Sequence, residues 1–500
     1  MSSSVTNPTM KILYGPPGTG KTWQAAQEAV KAIEPQRYQK AQTAADPLEE
    51  VRKLHETLVN DGRIIWVTFH PSYSYEDFVE GFRPSIGPNE QLLYTVVEGP
   101  FKTICRRATL TSDLSVGEML QDGNGKKTME VVNKNTEGWF VKVNTTRSDA
   151  VAASTVKFVP RAVIERVIEL GLPPPIFSIA GKSLIELSKV GIDMNDPDVP
   201  APQEGETAAK RNGANVRKII AARTGILSSS DLSNQAHFGA VLRRLMELKT
   251  TGGQQGGAVA MVIDEINRAE PSKVFGELIT LLELDKREGM PDERSVWLPY
   301  SKKPFSVPAN VSVIGTMNTV DRSLTALDFA MRRRFTFELV AADPNLVSQD
   351  WGGVDLQALL KRINSRVGIL LGSGHEFGHA FLMPRRLESL QADHDWTRAD
   401  AGLRGVAYVL RTNIIPTLTE YFHDDWDKVR AIAGETKDDQ GLLFLFEKPP
   451  ADAQFFARLP DQYEFSESSW GVHAEWWNPE SPKWDSARFL RFARALANGQ

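Results

Sequence analysis

The sequence predicts an α/β fold: a three-layer core around a parallel sheet, a small α+β module inserted into it, and a mainly helical domain after it. Three observations carry that expectation. Short β-rich runs alternate with helical patterns near the start of the chain and again from Ala258, as strands joined by crossover helices do. A glycine-rich turn separates the first apolar run from the first helical pattern. Beyond Asp343 the apolar spacing is mainly helical.

In order, residues 11–14 read as a short strand and 22–33 as a helix of good helix formers. Further strands are expected at 64–69 (IIWVTF), 258–263 (AVAMVI), 311–314 (VSVI) and 335–340 (FTFELV), with a helical pattern at 272–284. Two extended runs around Ser301, Lys302 and Lys303 suggest a hairpin within 296–308. Between 112 and 235 the pattern changes. Residues 130–144 and 155–159 look like small strands, 161–170 like a helix, and 193–213 like a loop rich in Pro, Asp and Gly. Later helices are clearest at 356–367, 405–421 and 486–497. The expected division is a first core part at 1–111, an inserted module at 112–235, a second core part at 236–342, a helical domain at 343–441 and a Trp-rich extension at 442–500.

With 500 residues, 41% hydrophobic and 24% charged, the composition is that of a packed globular chain of two to four domains. A net charge of −5 means that any nucleic-acid contact needs a local patch. One cysteine, Cys105, excludes an internal disulfide, suits a reducing cytoplasm and is expected to serve packing. The first ten residues lack the basic and apolar segments of a signal peptide. No run approaches the roughly 20 apolar residues of a membrane helix.

The strongest chemical signal is Gly15, Pro16, Pro17, Gly18, Thr19, Gly20, Lys21 and Thr22 (GPPGTGKT), which satisfies G-x-x-x-x-G-K-[ST]. Glycines let backbone N–H groups turn toward a phosphate chain, Lys21 neutralises the β and γ phosphates of ATP or GTP, and the Thr22 hydroxyl binds Mg²⁺. Hydrolysis also needs a carboxylate on the metal and another to activate water, both at the end of a neighbouring strand. AVAMVIDE supplies Asp264 for the metal and Glu265 for the water. Asn318, in GTMNTVDR after a third strand, is placed to orient the water or touch the γ-phosphate. Three arginines in MRRRF, at 331–335, otherwise mark a solvated helix end. Ahead of an apolar strand they can instead supply an arginine finger to an adjacent subunit.

In this order the motifs resemble those of an AAA+ ATPase. More narrowly, GPPGTGKT, TFHPSYSYEDFVEGFRP (68–84), IDEINRAEPSKVFGELITLLELDKR (263–287), MNTVDRSLTALDFAMRRRF (317–335) and GHEFGHAF (374–381) resemble the McrB family, over about 250 residues of core and helical lid. That family provides the GTP-hydrolysing motor subunit of modification-dependent restriction systems. The resemblance implies Lys21 and Thr22 as P-loop ligands, Asp264 and Glu265 as the Walker B pair, and Asn318 as sensor. It implies that Asn267, Arg268 and Asp321 position the catalytic water and communicate with a partner subunit, and that Arg333 and Arg334 act in trans. It further implies a homo-oligomeric ring, a hexamer, with a separate McrC-like endonuclease subunit, and DNA engaged through the complex or the insert. Choice between ATP and GTP stays open, because nothing in these motifs reads the base. A MoxR or dynein-related ATPase that remodels a protein client is the alternative.

Several features fall outside that match. HEFGH at 375–379 formally fits H-E-x-x-H, yet Gly372, Gly374 and Gly378 each cost a helix about 1 kcal/mol, so a zinc helix is not expected there. A lid turn near the nucleotide or the next subunit is preferred. With the P-loop already at Gly15, either the insert reads DNA, a partner does, or the protein has a different target. Lys210, Arg211, Arg217, Lys218 and Arg223 form a local basic island that either contacts a phosphate backbone or is a solvated helix face. Trp139 and Phe140 suit either base stacking or the core of a small β module. Trp470, Trp476, Trp477 and Trp484 suit either an interface, where such residues are enriched, or a tail anchored on its parent domain, the reading preferred for a short extension.

Overall fold

The structure, a computed structural model, describes residues 8–86, 92–109, 116–121, 128–135, 137–144, 156–161, 235–251, 257–320, 329–423, 425–433 and 475–498, with Leu114, Ile164 and Ile168. The basic island from Lys210 to Arg223, the loop at 193–213, Asp321 and Trp470 lie outside the described residues.

The strands are β1 (Met10–Gly15), β2 (Ile64–Thr68), β3 (Glu80–Ile86), β4 (Leu92–Glu98), β5 (Met119–Gln121), β6 (Thr128–Asn135), β7 (Gly138–Asn144), β8 (Val156–Pro160), β9 (Val259–Asp264), β10 (Val296–Trp297), β11 (Pro304–Phe305), β12 (Val311–Asn318) and β13 (Thr336–Leu339). Five of them form the main sheet in the order β13-β1-β12-β9-β2. β12 and β2 both run parallel to β9, with Val313 and Ile65 each opposite Met261. β9 therefore lies between two parallel neighbours, and its first five residues are all buried, which is why its sequence is an unbroken apolar run.

The chain divides into two compact units. The first comprises Met1–Lys11, Ala25–Gly315 and Thr325–Thr336. It holds the β3–β4 hairpin, the β10–β11 hairpin expected around Ser301, and a four-stranded antiparallel sheet β5-β6-β7-β8. In that small sheet Trp139 is fully buried beneath the Arg161 guanidinium, 4.3 Å from its ring centre, and Phe140 packs against Phe158. Trp139 thus fills the module's core. Cys105 is buried in the helix Pro100–Thr109, and burial pushes its thiol pKa up. The fully buried Arg287 has no counterpart among the sequence expectations. Its guanidinium donates to Val311 O and to Leu282 O at 3.3 Å, and lies 3.0 Å from Met10 Sδ, so one cation ties the beginnings of two strands to the turn after Leu282. Burial lowers its pKa to about 10.

The helical pattern at 272–284 is realised as one α turn, Pro271–Phe275, followed by a 3-10 helix, Gly276–Leu282. Gly276 is the reason. It sits at φ 53°, left-handed backbone that stops an α-helix, and a Cβ there would approach the Tyr75 ring to 3.1 Å.

The second unit comprises Ile12–Gln24, Thr316–Leu324 and Phe337–Gln500. Its helices Leu356–Leu371, Pro384–Asp393, Ala401–Val409, Ile415–Tyr421, Trp426–Ala433 and Ser486–Asn498 enclose one apolar core containing Leu360, Val406, Leu418, Phe489 and Trp477. Asp355 caps the first, accepting from Ala358 N–H at 3.0 Å. The expected helix at 405–421 is interrupted by a π turn, Leu410–Ile414. Pro416 follows it, and the absence of an N–H there removes a regular i to i−4 bond. The tail closes onto this core: Trp477 is fully buried and the Trp484 indole donates to Asp400 Oδ2 at 2.7 Å. Among the described residues no helix is long and apolar enough to cross a membrane.

Candidate functional site

In the second unit, β1 ends at Gly15, whose carbonyl accepts from Thr319 N–H at 3.2 Å. The turn that follows needs left-handed backbone at Gly18 (φ 76°) and Gly20 (φ 83°), which only glycine adopts without strain. The Thr19 hydroxyl donates to Pro16 O at 3.0 Å and braces the turn from inside. Lys21 opens the helix Lys21–Ile33, is nearly buried, and donates to Gly15 O at 2.9 Å and Pro16 O at 2.7 Å. Its ammonium is therefore held on the loop itself, within reach of an anion cradled there. Thr22 is exposed in the helix's first turn, which carries no acidic residue of its own to offset the positive helix end.

The helical domain supplies a strap against this loop. Gly378 N–H donates to Pro17 O and Ala380 N–H to Gly18 O, both at 3.0 Å. HEFGH is not helical: Ser373–His375 and His379–Leu382 are separate 3-10 turns, with Gly372 left-handed at φ 88°. His379 is almost fully buried, and its Nδ1 accepts from Asp343 N–H at 3.1 Å. That bond leaves the neutral ring's proton on Nε2, 3.8 Å from where a Cβ on Gly20 would stand. Burial lowers the His379 pKa. Asn318 ends β12 half-buried, and the adjacent Thr319 hydroxyl donates to Gly374 O at 2.5 Å.

In the first unit, β9 delivers Asp264 and Glu265 to its C-terminal end. Asp264 is half-buried and its carbonyl accepts from Phe69 N–H at 3.0 Å. Glu265 adopts φ 55°, a left-handed conformation that costs a non-glycine residue about 1 kcal/mol or more and clusters at functional sites. A turn bond from Arg268 N–H to Glu265 O at 2.9 Å holds it, and Arg268 Nε stands 3.5 Å from Glu265 Oε2. Asn267, between them, is buried. Glu265, Asn267 and Arg268 therefore share a single turn. Arg333 and Arg334 both pair with Glu283, but Arg333 is exposed and Arg334 buried.

In the second unit the Thr22 hydroxyl is a hard donor of the kind Mg²⁺ takes with nucleotide phosphates, and the left-handed glycines with Lys21 suit the phosphates themselves; in the first unit, taken by itself, Asp264 offers a carboxylate of the same hard kind. The residues present thus fit magnesium and a nucleoside triphosphate. Sequence reasoning missed Glu283, Thr319 and the exact partner of the strap. Only the glycines at 374 and 378 hinted at a close backbone approach.

Residues 218–335 match the family described as AAA domain (dynein-related subfamily), and residues 355–430 match the McrB, alpha-helical lid domain. The Type IV methyl-directed restriction enzyme EcoKMcrB subunit of Escherichia coli (strain K12) is 36% identical over 182 residues, covering 33% of this chain and 37% of that protein. The Type II restriction enzyme BsuMI component YdiS of Bacillus subtilis (strain 168) is 32% identical over 88 residues, 16% of this chain and 25% of that protein. The chain thus spans little more than a third of the first relative's length and a quarter of the second's.

Proposed function

Since the chain is a McrB-like AAA+ protein, we propose that it is a ring-forming nucleoside triphosphatase that hydrolyses ATP or GTP. In this reading it is the motor subunit of a cytoplasmic DNA restriction complex active against foreign DNA, in which a separate McrC-like endonuclease makes the cut. The observation that carries hydrolysis is Glu265: a carboxylate held in left-handed backbone at the end of a buried strand, next to Asp264. The names of the two relatives, both restriction enzyme components, support the restriction setting.

Each role follows from the chemistry of its side chain. Lys21 and the backbone of the glycine turn bind the phosphates. Thr22 and Asp264 would hold Mg²⁺, which when bound would offset negative charge on the nucleotide. Glu265 accepts the proton of the attacking water and Asn318 orients that water, so that it approaches the γ-phosphate in line. Asn267, Arg268 and Asp321 fix Glu265 and the water. The Arg333–Arg334 pair, presented by an adjacent subunit of the hexameric ring, supplies the guanidinium charge that stabilises the developing phosphoryl group.

The match to the dynein-related AAA subfamily favours one second reading, a remodelling ATPase whose client is a protein. Reconstitution separates the two. Purified protein should hydrolyse ATP or GTP with Mg²⁺, and addition of a McrC-like endonuclease subunit should yield cleavage of modified DNA that requires hydrolysis. Hydrolysis without DNA binding or cleavage under any modification state, with or without that subunit, would favour remodelling.

A further inference from the structure

One carboxylate oxygen, Glu283 Oε1, accepts from two consecutive arginines: Arg333 Nη2 at 3.1 Å and Arg334 Nη2 at 2.7 Å. Glu283 directly follows the 3-10 helix Gly276–Leu282, and the arginines directly follow the short helix Phe329–Arg332. The two guanidinium groups otherwise differ. The Arg334 side chain is 2% exposed and its Nη1 also donates to Ala330 O at 2.6 Å, so it is fastened at both ends. The Arg333 side chain is 66% exposed; both arginines and Glu283 line a groove of about 700 Å³ with Lys11, Asp285 and Phe335, and exposure is what sets Arg333 apart. Asp285 is itself paired with Lys286. Two cations on one carboxylate leave the Glu283–Arg333–Arg334 group with a surplus positive charge.

Burial decides how firmly each arginine is held. Freeing a buried guanidinium from its carboxylate strands a charge in a poor solvent, whereas an exposed pair separates at little cost. A terminal phosphate offers Arg333 more negative charge than a carboxylate already shared with Arg334, together with the bidentate geometry that guanidinium prefers.

We propose that Glu283 is a positioning residue for the trans arginine: it locks Arg334 as a strut and parks Arg333 at the surface, from which the phosphate of a neighbouring subunit's nucleotide withdraws it. The inference rests on the reading of the chain as an NTPase with an arginine shared between subunits. It divides the two adjacent arginines into one that reaches and one that supports, which their sequence positions do not.

Subunit mixing tests it. Glu283→Gln, Arg333→Ala and Lys21→Ala are each assayed alone, and the first two are then each mixed with Lys21→Ala. Alone, each variant should lose at least about 10-fold in turnover, while Glu283→Gln should bind a fluorescent nucleotide as tightly as the parent, because its own phosphate loop is intact. Mixed with Lys21→Ala, it should regain activity, since the Lys21→Ala subunit lends an intact Glu283 and Arg333 to its nucleotide site. If Glu283→Gln does not fold, Glu283→Asp keeps a charge for Arg334 and serves in the same mixture. Parental turnover by Glu283→Gln beside an inactive Arg333→Ala overturns the proposal, as does a Glu283→Gln defect that mixing fails to relieve while relieving Arg333→Ala. Parental turnover by Arg333→Ala instead overturns the shared-arginine reading itself, and the proposal with it.

Discussion

Gly378 and Gly18 meet backbone to backbone: a Cβ on Gly378 would stand 1.9 Å from the Gly18 carbonyl carbon and 2.4 Å from Thr19 N. Neither atom belongs to a flexible side chain, so nothing yields cheaply. Gly378→Ala should therefore push the strap off the phosphate loop and break the bonds from Gly378 N–H and Ala380 N–H. Overpacking of this kind costs about 1–3 kcal/mol. The expected outcome is a nucleotide affinity lower by about 10-fold or more, read by titration with a fluorescent analogue. Unchanged affinity would show that the strap and the loop are independent.

His379 makes the stability of the same region depend on pH. Its Nδ1 accepts a backbone N–H and its ring is buried, so its pKa lies below the ordinary 6.5. As pH falls through 6.5, the unfolded chain takes up a proton that the folded chain refuses until its own lower pKa is reached, and stability drops across that window. Above 6.5 the contribution is constant. His379→Asn keeps an acceptor for Asp343 N–H and does not titrate, so its melting temperature should fall less between about pH 7 and 5. Superimposable curves for parent and variant would contradict the assignment.

Glu265→Gly should move stability and activity in opposite directions. Relief of the φ 55° strain is worth about 1 kcal/mol, partly offset by the greater freedom of an unfolded glycine. The melting temperature should hold or rise while hydrolysis disappears. A clear loss of stability would mean that the carboxylate's contact with Arg268 outweighs the strain.

Trp477 is the tail's anchor. It is fully buried in the core of the helical domain, with the Arg411 guanidinium 5.0 Å from its ring centre. Trp477→Ala should destabilise by about 3–5 kcal/mol, and Trp476→Ala by less, since the half-buried Trp476 gives up its stacking with Arg488 and only part of a packing surface on the same core. Denaturant melts of the two variants check the ranking.

These cases show what the sequence could and could not reveal. The strands of the main sheet were legible because parallel strands buried on both faces leave unbroken apolar runs, as at Val259–Asp264, and the glycine turn was legible because its backbone geometry tolerates few residues. The break at Gly276 was not, since the spacing of 272–284 is helical and only the Tyr75 ring and a left-handed φ reveal why the helix stops. Arg333 and Arg334 look alike in sequence, and only burial separates them. Arg287 and Glu283 act through partners distant in the chain, Val311 and Met10 for one and the arginine pair for the other, which no local pattern encodes.

The central claim is that Glu265 activates water for hydrolysis of a nucleotide held at Lys21. Single-turnover hydrolysis of ATP and GTP by Glu265→Gln, beside a measurement of bound nucleotide, tests it most directly. Gln keeps the size of the side chain and removes its basicity, so turnover should fall by about 100-fold or more while nucleotide stays bound with undiminished affinity. Turnover equal to that of the parent, with nucleotide bound, would contradict the claim.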